Sequence, residues 1–329
     1  MAEARKVVRT GRRQEGEPLY ILSTVRLGWK LNKLGTLQKL FEVLSACRSL
    51  RCLSLLPILY CLLPLIVYCL LPAAASAQGN YEIQVYGSDM APAGTTMVEL
   101  HSNYTVSGTE AVPGSRFAAD GTEPTSGALH ETVEITQGFT TWFETGFYIF
   151  TSAHSGFGYQ WVGDHIRPRV RVPEEWHWPV GISLSNEIGY QRARFSPDTW
   201  TWEIRPIIDK QLGPWYLSFN PTLDRSWHGP SVSRGVEFSP NFKLSYNVSK
   251  KVAAGFEYYA NYGNLTGFDP FREQQQDFFP SIDLNVSPKW ELNFGVGIGA
   301  TSSTDHLIVK CIVGRRFSFG RPHRNNETN

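Results

Sequence analysis

The chain has 329 residues, a formal net charge of +1, 13% aromatic residues, 29 glycines and 20 prolines. That length admits two soluble domains or one larger barrel, and the glycine, proline and aromatic content suits a turn-rich all-β protein. The near-neutral total hides a split: residues 1–52 carry 11 Lys/Arg against 4 Asp/Glu (+7), residues 53–77 carry none, and the remainder carries 20 against 26 (−6). A basic head before an apolar run points to export and not to a nucleic-acid partner.

Leu53 to Leu71 is an uncharged stretch, preceded by Arg48 and Arg51 and followed by Pro72-Ala73-Ala74-Ala75-Ser76-Ala77. Small residues at Ala75 and Ala77 form an A-x-A site, so cleavage is expected at Ala77/Gln78, with 1–77 as leader and signal peptide. Pro57 and Pro64 inside the run argue against a spanning helix. Leu44-Ser45-Ala46-Cys47 resembles a lipoprotein box but precedes the run instead of closing it. Four of the five cysteines lie at or before Cys69, which leaves Cys311 alone in the mature chain and excludes a disulfide framework or a Cys-x-x-Cys metal site.

Residues 78–94 read as a short periplasmic lead-in. Beyond them the pattern alternates with a period of two, apolar against polar, which marks strands with one greasy and one polar face. Twelve segments show it, near 95–106, 128–138, 141–152, 159–172, 179–191, 199–210, 214–225, 236–248, 252–262, 276–287, 289–300 and 306–317. The clearest is the hairpin in which Val236, Phe238, Phe242, Leu244 and Tyr246 oppose Glu237, Ser239, Asn241, Lys243 and Ser245. About ten residues per strand, tilted by about 40°, cover the roughly 25 Å apolar band of a membrane barrel. Long connections alternate with tight ones, and tryptophans cluster at strand ends, as in an aromatic girdle. The expected fold is an all-β, transmembrane, antiparallel up-and-down β-barrel of about twelve strands over 95–319, with a polar tail at 320–329. A β-sandwich would need strands about half as long. Pro168, Pro206, Pro221, Pro240 and Pro280 fall inside strands on the lipid-facing phase, where bulges with local phase slips are expected.

Trp202-Glu-Ile-Arg-Pro-Ile-Ile-Asp209, Val236-Glu-Phe-Ser-Pro-Asn-Phe-Lys243, and Asp305-His-Leu-Ile-Val-Lys310 with Val313-Gly-Arg-Arg-Phe317 resemble a family of uncharacterised bacterial outer-membrane barrels. More loosely, the chain is similar to proposed transporters of the meta pathway of phenol degradation. The resemblance covers about 95–319 and implies an outer-membrane pore or transporter. Barrels of this kind usually end on a phenylalanine, so Phe317 or Phe319 would serve the barrel-assembly machinery as its signal.

An outer-membrane lipid hydrolase is the main enzymatic rival. Its serine and histidine base would sit two residues apart on one strand, and no His here is followed two positions later by Ser. The histidines lack ligand spacing, and no cofactor or metal is expected. The inward phase instead collects charge. Arg167, Arg169 and Arg171 alternate on one strand and, with Arg205, form a basic track. Glu187, Glu203, Glu237, Glu257 and Glu291 form an acidic wall. In a narrow lumen such charges either pair across it or line a selective path, and the track is a candidate guide for an organic anion. Gly295, Gly297 and Gly299 are expected to leave open space beside their strand. The expected function is passive diffusion of a small solute across the outer membrane, the alternative a structural or adhesive barrel working through its loops. Intact-mass measurement on outer-membrane material should give a chain starting near Gln78; retention of 53–77 would refute the cleavage.

Overall fold

The structure, a computed structural model, describes residues 80–318. The leader with its Ala77/Gln78 junction, the tail at 320–329 and Phe319 lie outside the described residues. Twelve strands follow one another: β1 (Thr95–Ser107), β2 (Leu129–Gly138), β3 (Phe143–His154), β4 (Gly158–Arg171), β5 (Gly181–Gln191), β6 (Trp200–Leu212), β7 (Trp215–His228), β8 (Val236–Asn247), β9 (Val252–Asn261), β10 (Gln275–Leu284), β11 (Trp290–Gly299) and β12 (Leu307–Ser318). Each pairs antiparallel with its neighbour in the chain. β12 returns to pair with β1, from Thr95↔Ser318 to Ser107↔Leu307, and closes the barrel.

Burial is inverted relative to a water-soluble fold. On β1, Glu99, His101, Asn103 and Thr105 are buried while Leu100, Tyr104 and Val106 are exposed. On β2, His130, Thr132, Glu134 and Thr136 are buried and Ile135 is exposed. Apolar residues out and polar residues in is the stable arrangement only where the outer medium is hydrocarbon. Trp142, Trp176, Trp178, Trp215 and Trp290 mark one margin of the outer surface and Trp161, Trp200 and Trp227 the other, all exposed. Most long connections, including 108–128 and 262–274, share one end of the barrel, and tight turns such as 213–214 share the other. The exception at the turn end is 172–180, which holds a single 3₁₀ turn at Glu174–Trp176 and a left-handed His177 (φ 48°).

The in-strand prolines behave otherwise than expected. Pro168, Pro206 and Pro280 pair in register with Thr145, Leu184 and Phe256 on one side. On the other side the ladder is interrupted and then resumes in the same phase, as between Ile204↔Leu223 and Ile208↔Phe219. A missing N–H costs the ladder a bond without adding a residue, so no phase slips. Register shifts fall instead at the loop end, between Thr105 and Ser107, Phe150 and Thr151, and Trp200 and Thr201.

The largest correction concerns the lead-in. Residues 80–91 do not stand apart from the barrel; they run along its inside from the loop end to the turn end. Asn80 Nδ2 donates to Asp305 Oδ2 at 2.5 Å near the loops, and Ala91 N donates to Glu144 Oε2 at 2.7 Å near the turns. The chain then bends, with Gly94 N on Gly138 O, and enters β1. An extended segment without strand partners has unpaired backbone groups, and the inward polar face supplies the partners. Asn103 and Thr132 donate to the carbonyls of Asn80 and Tyr81, Lys310 to Ile83, and Ser218 and Asn220 to Tyr86. Tyr81 packs on Phe150 and, edge-on, on His130, while Ile83 joins Phe279 and Ile308.

The glycines of β11 do not leave open space. A Cβ at Gly297 would come within 2.2 Å of the Phe279 ring, and one at Gly295 within 2.9 Å of Lys310 Cε. Gly297→Leu should therefore force Phe279 off its packing and destabilise the barrel by about 1–3 kcal/mol. Urea unfolding in detergent micelles against wild type measures this.

Candidate functional site

Two-residue spacing on each strand and one-to-one pairing between strands turn the inward charges into a lattice. β4 directs Arg167 and Arg169 inward between the acids of β2 and β3. Arg167 Nη2 lies 2.5 Å from Glu134 Oε1, and Arg167 Nη1 lies 3.7 Å from Glu144 Oε1. Arg169 Nε lies 2.8 Å from the same Glu144 oxygen and also donates to the carbonyls of Gly87 and Asp89. Arg205, on β6, grips Glu203 through Nε at 2.7 Å and Nη2 at 2.8 Å, and reaches Glu82 at 3.3 Å. The centre of this lattice is Tyr86. Its ring centroid lies 4.8, 5.0 and 6.0 Å from the guanidinium carbons of Arg167, Arg205 and Arg169. Each such contact is worth about 0.5–2 kcal/mol, more when water is excluded.

A second knot joins the five consecutive strands β8 to β12. Glu257 accepts from Lys310, from Lys243 at 3.2 Å, from Tyr259 OH at 2.5 Å and from Asn293 Nδ2 at 3.2 Å. Lys243 also lies 2.9 Å from Asp283. At the turn-end rim Arg171 pairs with Glu174 at 3.0 Å and with Asp89 at 3.7 Å. His165 Nδ1 lies 2.5 Å from Glu187 Oε1, and Glu291 is exposed, with Gln84 Nε2 3.2 Å from its Oε1.

The four arginines of the basic track therefore face the lumen, and each has a carboxylate within 4 Å. Of the acidic wall, Glu187, Glu203 and Glu237 stand toward the loop end and Glu257 at mid-depth; Glu291 is at the turn end. The arrangement is interleaved, not a basic face against an acidic one, because Glu144 on the adjacent β3 and Glu134 on β2, one strand further, lie beside the arginines. Sequence reasoning missed Tyr86 and Glu82 altogether. A signal existed: Tyr81-Glu82-Ile83-Gln84-Val85 alternates as a strand does, but it precedes the barrel and has no hairpin partner.

Above the lattice, toward the loops, lies a cavity of about 380 Å³. Its lining includes ten carboxylates and three arginines (Arg205, Arg225, Arg234). Glu203, Asp224 and Glu237 form one cross-strand row, Glu203↔Asp224 and Asp224↔Glu237 being direct partners. Like charges placed directly opposite repel. Arg205 offsets the first, while Arg234 Nε at 2.7 Å and Asn261 at 3.1 Å hold the third.

A closed antiparallel ladder with apolar exterior and polar interior defines an outer-membrane type of transmembrane β-barrel. The family described as "Putative MetA-pathway of phenol degradation" matches residues 181–307, from β5 to the start of β12. The chain is similar to that family, in line with the resemblance carried by the sequence motifs. Among solved structures it is similar to an outer-membrane channel from Pseudomonas putida F1 (11% identity, 72% of this chain, 100% of that chain, TM-score 0.49). It is also similar to the KdgM porin (10%, 68% and 99%, TM-score 0.40) and to Omp33 of Acinetobacter baumannii (9%, 70% and 100%, TM-score 0.37). No curated protein matches the chain.

Removing Glu257 leaves Lys310, whose side chain is 0% exposed, without its carboxylate. Glu257→Ala is expected to cost about 3–5 kcal/mol, whereas replacing both Glu257 and Lys310 by methionine should restore most of that loss. Urea midpoints of the refolded variants in detergent decide it.

Proposed function

We propose that this barrel is an outer-membrane channel for small solutes, that residues 80–91 occupy its bore, and that its loop-end vestibule prefers cations. The observation that carries the reading is the ten-to-three excess of carboxylates over arginines lining the 380 Å³ cavity. In a confined, low-dielectric mouth such an excess concentrates cations and repels anions. The basic track does not support an organic anion as solute. Its guanidinium groups are engaged by Glu134, Glu144, Glu203 and Glu174 and by carbonyls of the inner segment. An organic cation or amine fits the vestibule better.

The occupied bore also favours a second reading, a structural or adhesive barrel that conducts nothing. Twelve strands enclose a lumen between the side-chain-filled eight-strand barrels and the open porins, so one extended segment suffices to obstruct it. The segment is held mainly by polar bonds, each worth about 0.5–1.5 kcal/mol net, and water entering the lumen would satisfy the same groups.

Planar-bilayer recording of the full chain and of a variant lacking 80–91 separates the two. The deletion should raise unitary conductance at least about fivefold, with a cation-selective reversal potential in a KCl gradient. Absence of single-channel steps in the deletion variant would establish the structural reading, and an anion-selective reversal potential would refute the cationic one. Arg167, Arg169 and Arg171, all changed to Ala, should deepen cation selectivity by freeing their acids.

A further inference from the structure

We propose that Glu99, His101 and Glu134 form a site for one divalent transition-metal ion of the zinc class, set into the barrel wall. Glu99 and His101 are two apart on β1, so both face inward, and the β1–β2 register places Glu134 directly beside Glu99. One donor atom from each residue lies within 4.8 Å of the others. His101 Nε2 is 3.5 Å from Glu134 Oε2. Two ligands of a tetrahedral ion with bonds of about 2.0–2.1 Å stand about 3.4 Å apart, so this pair already has the required separation.

What sets the cluster apart from the paired charges around it is what it lacks. His101 is 0% exposed, its Nδ1 has no partner among the described residues, and its Nε2 has only the long 3.5 Å approach to Glu134 Oε2. Glu99 is 6% exposed, its Oε1 has no hydrogen-bond partner, and among the described residues no basic group lies within 4 Å of it. A buried carboxylate oxygen and a buried imidazole left this short of partners are costly, and a shared cation satisfies both at once. The second oxygen of Glu134 is held by Arg167 Nη2 at 2.5 Å and by Thr136 Oγ1 at 2.6 Å, which turns Oε2 toward His101. Such outer contacts commonly orient a metal-binding carboxylate.

One imidazole and two carboxylates suit zinc or a neighbouring first-row metal. They do not suit calcium or magnesium, which take six or more oxygens. A fourth carboxylate stands nearby across β12: Glu291 is exposed at the turn end, and Gly314 lies between it and Glu99 as direct neighbour of both. A methyl group at Gly314 would come within 2.7 Å of Glu99 Cγ and 3.2 Å of Glu291 Cβ, so the missing side chain lets the two acids approach one another. The competing arrangement is a proton shared within the Glu99–His101–Glu134 group.

The test is titration of the full, untagged, chelator-stripped protein in detergent with Co²⁺, followed by its visible d–d absorption, and competition by Zn²⁺. The expected result is one ion per barrel, displaced by zinc, with binding lost in His101→Ala and weakened at least about tenfold in Glu99→Gln. Heat-modifiable gel mobility shows whether each variant has closed its barrel. Less than about 0.1 equivalent bound by the wild type overturns the site, as does unchanged binding in both variants, which would assign the ion to the vestibule carboxylates. Should the variants fail to close, pulsed EPR of the Cu²⁺-loaded wild type keeps the proposal testable: imidazole nitrogen coupling is expected, and its absence overturns the site.

Discussion

A strand in hydrocarbon can leave no backbone N–H or C=O unpaired, and the pairing of β1 with β12 meets that demand here. Closure dictates the rest. Once the ladder has no edge, each strand has a lipid face and a lumen face, and the period of two assigns every residue to one of them. The outward prolines show how tightly the constraint is drawn. They interrupt individual bonds, yet the register on either side of each interruption is the same, because a slip would turn a run of lumen charges into the membrane. The bulges lie at the loop end, where loop residues and water offer alternative partners.

Inside, the constraint changes from backbone to charge. Among these closely packed inward side chains an isolated buried ion would be far more costly than a paired one. The inner face answers with alternating acid and base on adjacent strands: Glu134, Arg167, Glu144 and Arg169 on one side, Lys243, Glu257, Asp283 and Lys310 on the other. The segment at 80–91 completes the first group. Tyr86 places an aromatic face among three guanidinium groups, and neighbouring carbonyls take up donors that the carboxylates leave over. Obstruction of the bore and neutralisation of its arginines thus have one cause. Toward the loops the cavity opens and the requirement for pairing relaxes, and there the uncompensated acids collect.

The number, length and order of the strands were legible in the sequence, as were the lipid face, the tryptophan margins and the inward direction of Arg167, Arg169, Arg171 and Arg205. All of these follow from period-two alternation and turn residues, which are local properties. Partnership was not legible. Three alternating arginines read alone suggest an unneutralised track, and only the β2–β3–β4 register reveals that Glu134 and Glu144 stand beside them. Gly295 and Gly297 read alone suggest open space, and only the β10–β11 pairing brings Phe279 over the gap. The same holds for Glu99, His101 and Glu134, whose grouping depends on which residue of β2 lies opposite which residue of β1.

Residues 80–91 mark the boundary most plainly. Over residues 81–85 the sequence by itself favoured an extended, amphipathic segment, because tyrosine and aliphatic residues alternate there with an acid and an amide. Whether that segment lay in the periplasm, added a strand or entered the barrel was decided by the tertiary structure. Its backbone groups needed partners, and the ring of inward Asn, Ser, Thr, Lys and Arg side chains that could supply them exists only once twelve strands have closed.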